Sequence, residues 1–179
     1  MVMSRRIEPV TADRFMAERP DDGRRHELID GMEIVTPAPV PRHQVAVTRL
    51  LRLLDAAAPP GLQVLTAPVD WRVSDDTVVE PDVLVVDADD LDGAFLTRTP
   101  RLVVEVASPS TAMYDRNLKR ALYERAGVPA YWLLDPEVPR LTVLELEGGA
   151  LVERVTLSGA ESAELSMPFP LTMPPANLV

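Results

Sequence analysis

The chain of 179 residues contains no cysteine. That excludes disulfides, cysteine nucleophiles and thiolate zinc sites. Its two histidines, His26 and His43, lie far apart and show no HExxH spacing, so a histidine-rich metal centre is not expected. No apolar run approaches the ~18 residues of a membrane span. The start, Met1 to Val10, carries Arg5, Arg6 and Glu8 and no apolar stretch, unlike a secretory signal. A cytoplasmic protein with no membrane partner is expected. Two Trp, three Tyr and three Phe leave few rings to stack on sugars, which counts against a glycoside hydrolase built on two carboxylates. No P-loop signature is present. Lysine is nearly missing too. Lys119 stands alone, and every other basic residue is arginine.

What is there fits one domain over residues 1–179, long enough to bury roughly 70% of its unfolded surface without a staple. A net charge of −10 argues at first against nucleic acid. The acid is unevenly spread. Residues 61–100 hold nine acids against Arg72 and Arg98, whereas residues 1–60 balance. A neutral or basic face elsewhere stays open. The acidic stretch is either a solvated loop or part of a cation site.

Local patterns give the elements. Thr11 to Arg19 reads as a short helix capped by Thr11. Asp30-Gly31 marks a hairpin between Arg25–Ile29 and Met32–Thr36. Pro41 to Ala57 reads as a helix with Val45, Leu50, Leu53 and Leu54 inside and Arg42, Arg49 and Arg52 outside. Strands follow at Leu62–Ala67, Val69–Val73, Val78–Val86 and Leu102–Ala107, the third opening near Pro81. Asp87 to Pro100 is an acidic loop. Ser110 caps a helix that Gly127 ends. Ala130–Leu134 is a buried strand, and residues 141–157 form a terminal hairpin. The proline-rich tail, residues 158–179, is expected on the surface. This order predicts an α/β (α+β) fold on a mixed sheet flanked by helices.

Asp82 and Glu105 each sit in an otherwise apolar strand. A buried carboxylate is normally paired, hydrogen-bonded or metal-bound. If the two strands pair antiparallel, the acids converge at one end of the sheet and make a site for a hard cation. Either acid alone could instead bind an arginine or cap a turn. In the next helix Lys119 lies on the flank of the apolar stripe Tyr114, Leu118, Ala121 and Leu122, four residues after Asp115. A solvated ion pair in this chain would be expected to use arginine. The lone lysine marks a place where a compact ammonium is wanted. Tyr131 and Trp132 are expected in the core. His43 is expected to start its helix or touch substrate.

Pro81-Asp82 followed by Glu105 resembles motifs two and three of the PD-(D/E)XK nuclease superfamily. More closely, the chain is similar to the Uma-two type of restriction endonucleases. The resemblance lies in Glu27-Leu28-Ile29-Asp30-Gly31, Val79 to Asp82, Val103 to Val106 with Ser108-Pro109-Ser110-Thr111, Asp115 to Tyr123, and Gly127 to Pro136. It covers roughly residues 11–146. It implies a restriction-endonuclease-like fold and metal-dependent hydrolysis of DNA, most naturally double-stranded, by a homodimer. Asp82, Glu105 and the Val106 carbonyl would hold Mg²⁺ or Mn²⁺, and Glu27 and Lys119 would complete the catalytic set. The superfamily lysine usually stands two residues after the glutamate, where this chain has Ala107. Lys119 would replace it from the following helix. Glu27 could equally pair with Arg24 or Arg25.

Arg42, Arg49 and Arg52 on one helix and Arg116 and Arg120 on another are candidate phosphate contacts. A solvated face is the plainer reading of them. The competing function is a catalytically inactive protein of nuclease fold that binds nucleic acid or regulates.

Overall fold

A computed structural model describes residues 9–108 and 115–179, with Asp115 and Arg116 described by their backbone alone. Thr11 caps helix α1 (Ala12–Glu18), its hydroxyl accepting the Arg14 N–H. Strands β1 (Arg25–Ile29) and β2 (Met32–Thr36) form the expected hairpin. Both turn residues have positive φ, Asp30 at 50° and Gly31 at 75°, which is what a tight two-residue hairpin turn requires. A Cβ on Gly31 would stand 2.5 Å from the Cβ of Pro9, so packing demands glycine there as well.

Helix α2 (Pro41–Ala57) opens on Pro41, where a missing N–H costs nothing. It buries His43, Ala46, Val47, Leu50 and Leu54. Val45, expected inside, is 43% exposed, because the buried stripe runs through Ala46 and Val47 instead. Arg42, Arg49 and Arg52 do face outward.

The remaining strands are β3 (Leu62–Thr66), β4 (Trp71–Ser74), β5 (Thr77–Val79), β6 (Val83–Asp87), β7 (Leu102–Val106), β8 (Ala130–Asp135), β9 (Arg140–Glu147) and β10 (Ala150–Ser158). They make two sheets, ordered β2-β1-β5-β4 and β10-β9-β8-β7-β6-β3. In the larger sheet β7 and β8 are parallel and the other pairs antiparallel. The chain between β7 and β8 includes a single π turn (Asp115–Lys119) and helix α3 (Arg120–Arg125). The expected cap Ser110 and the stripe residue Tyr114 lie outside the described residues. Gly127, at φ 74°, ends α3, and its N–H donates to the Glu124 carbonyl.

Two expectations are corrected. The run from Val78 to Val86 is two strands, not one. β5 pairs with β1 and β4, β6 with β3 and β7, and the chain changes sheet at Glu80-Pro81-Asp82. Pro81 has no N–H to give a ladder, so it suits the switch. The proline-rich tail is not a surface strip. It forms a small hairpin of β11 (Ala163–Leu165) and β12 (Leu171–Met173) and a final turn of 3₁₀ helix (Pro175–Leu178). Leu165, Phe169, Leu171, Met173 and Leu178 are buried in the same cluster as the inner face of α2.

The central strands are buried on both faces. Leu102, Val104 and Val106 of β7 pack with α2 and the tail. Val103, on the other face, packs with Ile29, Trp71 and Val79 of the smaller sheet and with Leu122 and Tyr123 of α3. Strands covered on both sides read as continuous apolar runs, which is why a carboxylate among them stands out.

Candidate active site

The site forms where the two sheets meet. Val83 of β6 lies opposite Val104 of β7, so the next residues outward are Asp82 and Glu105. The antiparallel pairing expected to bring them to one end of the sheet is present. On β1 the alternation of side chains sends Ile29 toward the larger sheet and Leu28 toward α1. Glu27 and Arg25 share the face of Ile29. Both reach the cluster between the sheets.

Asp82 is 2% exposed and fully engaged. Its Oδ1 accepts from Arg25 at 2.7 Å. Its Oδ2 accepts the Val106 N–H at 2.8 Å and lies 3.1 Å from His43 Nε2. Burial alone pushes the Asp82 carboxyl up. The His43 hydrogen bond and the Arg25 charge outweigh it and hold the group below the usual carboxylate range.

Lys119 ends the π turn with its side chain 2% exposed, and its ammonium donates to Glu27 Oε1 and Glu105 Oε1, both at 2.9 Å. It is therefore not a solvated side chain. Tyr123 stands one turn further on the same helix face, and its hydroxyl donates to Glu105 Oε1 at 2.5 Å. Burial and the charge of Glu105 push the Tyr123 phenol well above its ordinary value, so it stays a neutral donor. Glu27 Oε1 also accepts the Glu80 N–H at 2.9 Å. Glu27 therefore pairs with Lys119, not with Arg24 or Arg25.

Three carboxylates, Glu27, Asp82 and Glu105, thus meet two basic side chains, Arg25 and Lys119. Among the described residues, no three acid or histidine side chains form a ready metal cage. The donor chemistry nonetheless suits a hard cation, since Asp82 and Glu105 offer carboxylate oxygens. The Arg25 guanidinium is a positive group already seated beside them. It bonds Asp82, and the charges of Asp82, Glu105 and Glu27 raise its affinity for its proton against the opposing effect of burial.

Glu80 marks the edge of the site. Among the described residues its carboxyl has no hydrogen-bond partner, and burial pushes its pKa up, partly offset by Arg25. It lines a cleft of about 350 Å³ with Arg19, Asp70 and Phe95, whose lining includes neither Asp82 nor Glu105. Arg19 forks onto Asp70 at 2.6 and 2.8 Å there.

Other expected contacts are scattered. Arg42 pairs with Glu137 at 3.0 Å, Arg49 donates to the Val179 carbonyl, and Arg120 donates to the Leu151 carbonyl at 2.6 Å. The Arg116 side chain lies outside what is described. Tyr131 and Trp132 are core residues, as expected. His26 points away, to Asp22 and Glu33. The sequence reading left Arg25 and Tyr123 out of the site. Their only signals were spacing: Arg25 two residues before Glu27 on a strand, Tyr123 four after Lys119 on a helix.

The fold agrees with comparison to known proteins. The profile of the family Uma2, described as "Putative restriction endonuclease", matches residues 13–176. The chain belongs to the Uma2 family. The match runs past residue 146 and takes in the C-terminal hairpin that completes the core. Among solved structures, a "putative nuclease belonging to DUF820" from Anabaena variabilis superposes with a TM-score of 0.79. The identity is 17%, over 95% of this chain and 97% of the other, so this likeness shows the fold. No curated protein matches the sequence. Membership of Uma2 ranks the chain among nuclease-like proteins, whose substrate is nucleic acid. Among the described residues no helix is long and apolar enough to cross a membrane.

Proposed function

We propose that this Uma2 protein is a Mg²⁺- or Mn²⁺-dependent endonuclease hydrolysing phosphodiester bonds of double-stranded DNA. The observation that carries the reading is the burial of its only lysine between Glu27 and Glu105. Asp82, Glu105 and the Val106 carbonyl would hold the cation. When bound, the cation makes a water more acidic and neutralises phosphate oxygens. Lys119 donates to the attacking water or to the charge that develops on the phosphate. Glu27 and Glu105 fix the position of its ammonium, and Tyr123 and the Glu80 N–H fix theirs. Arg42, Arg49, Arg116 and Arg120 contact the DNA backbone, and a homodimer presents two such sites to the two strands. The test is nicking of supercoiled plasmid with Mg²⁺ or Mn²⁺. Activity is expected in the native protein and not in Asp82→Ala; full activity in that variant sinks the assignment.

One observation favours a second reading. Both Asp82 oxygens are already engaged, by Arg25, His43 and the Val106 N–H. A site closed in this way suits a nuclease-fold protein that binds nucleic acid without cutting it. Binding of DNA with no metal-dependent cleavage of plasmid or single strands is the result that selects it.

A further inference from the structure

We infer that Arg25 is a resident counter-cation of the carboxylate cluster, which a divalent metal displaces on binding and which thereby sets the metal affinity of the site. The inference rests on the metal site proposed above. Three facts carry it. Arg25 donates to Asp82 Oδ1 at 2.7 Å, with its side chain 19% exposed against 2% for Asp82. It also faces the charges of Glu105 and Glu27. Asp82 Oδ2 already accepts from the Val106 N–H and meets His43, so a cation approaching Asp82 is directed to Oδ1, which Arg25 holds.

Charge says why the guanidinium must leave and not share. Glu27, Asp82 and Glu105 attract Arg25, and Glu80 feels its charge as well. A divalent ion brought to the same carboxylates would set two further positive charges beside the guanidinium, and the departure of Arg25 relieves that repulsion. Arginine cannot relieve the crowding by losing its proton, as a lysine could. It can only move. Its position allows that: Arg25 opens β1, two residues after the turn at Gly23, and its partially exposed side chain has a route to solvent. Lys119, 2% exposed and held by two carboxylates, has no such route. The two cations therefore have different fates, one mobile and one fixed.

The experiment is Mn²⁺ binding, by calorimetry and by electron paramagnetic resonance of free Mn²⁺, to the native protein, Arg25→Gln, Arg25→Lys and Asp82→Ala. Arg25→Gln is expected to bind Mn²⁺ at least tenfold more tightly than the native protein, and Arg25→Lys to stay near it. Unchanged or weaker binding in Arg25→Gln overturns the inference. If the native protein binds Mn²⁺ and Asp82→Ala does not, such a result leaves the metal site standing and removes Arg25 alone. If neither the native protein nor Arg25→Gln binds, both readings fall together. Should Arg25→Gln not fold, the native protein gives the answer by nuclear magnetic resonance of its arginine Nε–Hε groups under Mg²⁺. The Arg25 signal, assigned with Arg25→Lys, is expected to shift and to exchange faster with water. A signal unmoved at saturating Mg²⁺ overturns the inference.

Discussion

Lys119 Nζ lies 2.9 Å from Glu105 Oε1, although the two residues stand fourteen apart in the chain. Lys119 ends a π turn that leads into α3, and its long stem is covered by neighbouring side chains.

Lys119→Met tests both roles of that ammonium. The substitution keeps the apolar stem and leaves Glu27 and Glu105 without their shared cation. Breaking one side of a buried ion pair costs about 3–5 kcal/mol. Urea unfolding is expected to show a loss of that order, and plasmid cleavage is expected to vanish even at temperatures where the variant is folded. Native cleavage rates in a folded Lys119→Met would remove Lys119 from the chemistry.

Asp82 gives a pH dependence. Its folded pKa lies below the ordinary 3.8 of an aspartate. A depressed carboxylate contributes stability that is fully present above the unfolded pKa and is lost as pH falls through the folded one. The stability gap between the native protein and Asp82→Asn is therefore expected to be widest near neutrality and to shrink below about pH 4. Denaturation of both proteins at pH 7 and pH 3 measures it. A gap that grows on acidification contradicts the pairing with His43 and Arg25.

Tyr123→Phe removes one donor from Glu105 and changes nothing else in shape. Hydrogen bonds to charged groups contribute about 1.5–3 kcal/mol, and a loss in that range is expected on thermal or urea unfolding. Cleavage is expected to fall less than in Glu105→Gln, because Lys119 still holds Glu105. Equal losses in the two variants would place the phenol itself in the reaction.

The tail is a structural part of the domain. Deleting residues 160–179 strips Leu165, Phe169, Leu171, Met173 and Leu178 from the cluster that covers α2. Fully burying side chains of this kind is worth about 1.5–3 kcal/mol each. Circular dichroism is expected to show a truncated chain that is unfolded or melts far below the native protein. A truncated chain with native melting behaviour would return the tail to the surface.

The hairpin at Asp30-Gly31, helix α2 from Pro41 and the strand pair at residues 140–158 were legible because their causes are local. Turn residues, a helical stripe and alternation all act within a few positions. The sheet change at Pro81 was not legible, since which neighbour a strand finds depends on residues far along the chain. The tail misled because prolines suggested exposure, while its five buried apolar side chains only acquire a partner once α2 has packed on the larger sheet. Val45 misled by a simple phase error along one helix.

The sequence by itself determined which residues could do chemistry: two carboxylates set into apolar strands, a third before a hairpin turn, and one lysine among arginines. Burial makes such residues conspicuous, because a charge in an apolar run needs a reason. Tertiary structure alone decided how they are paired. It set Lys119 between Glu27 and Glu105, turned Arg25 onto Asp82, and brought in Tyr123 and His43, each from a different element. Ionic pairing depends on distances of a few ångströms between groups tens of residues apart. Those distances exist only once the two sheets have met.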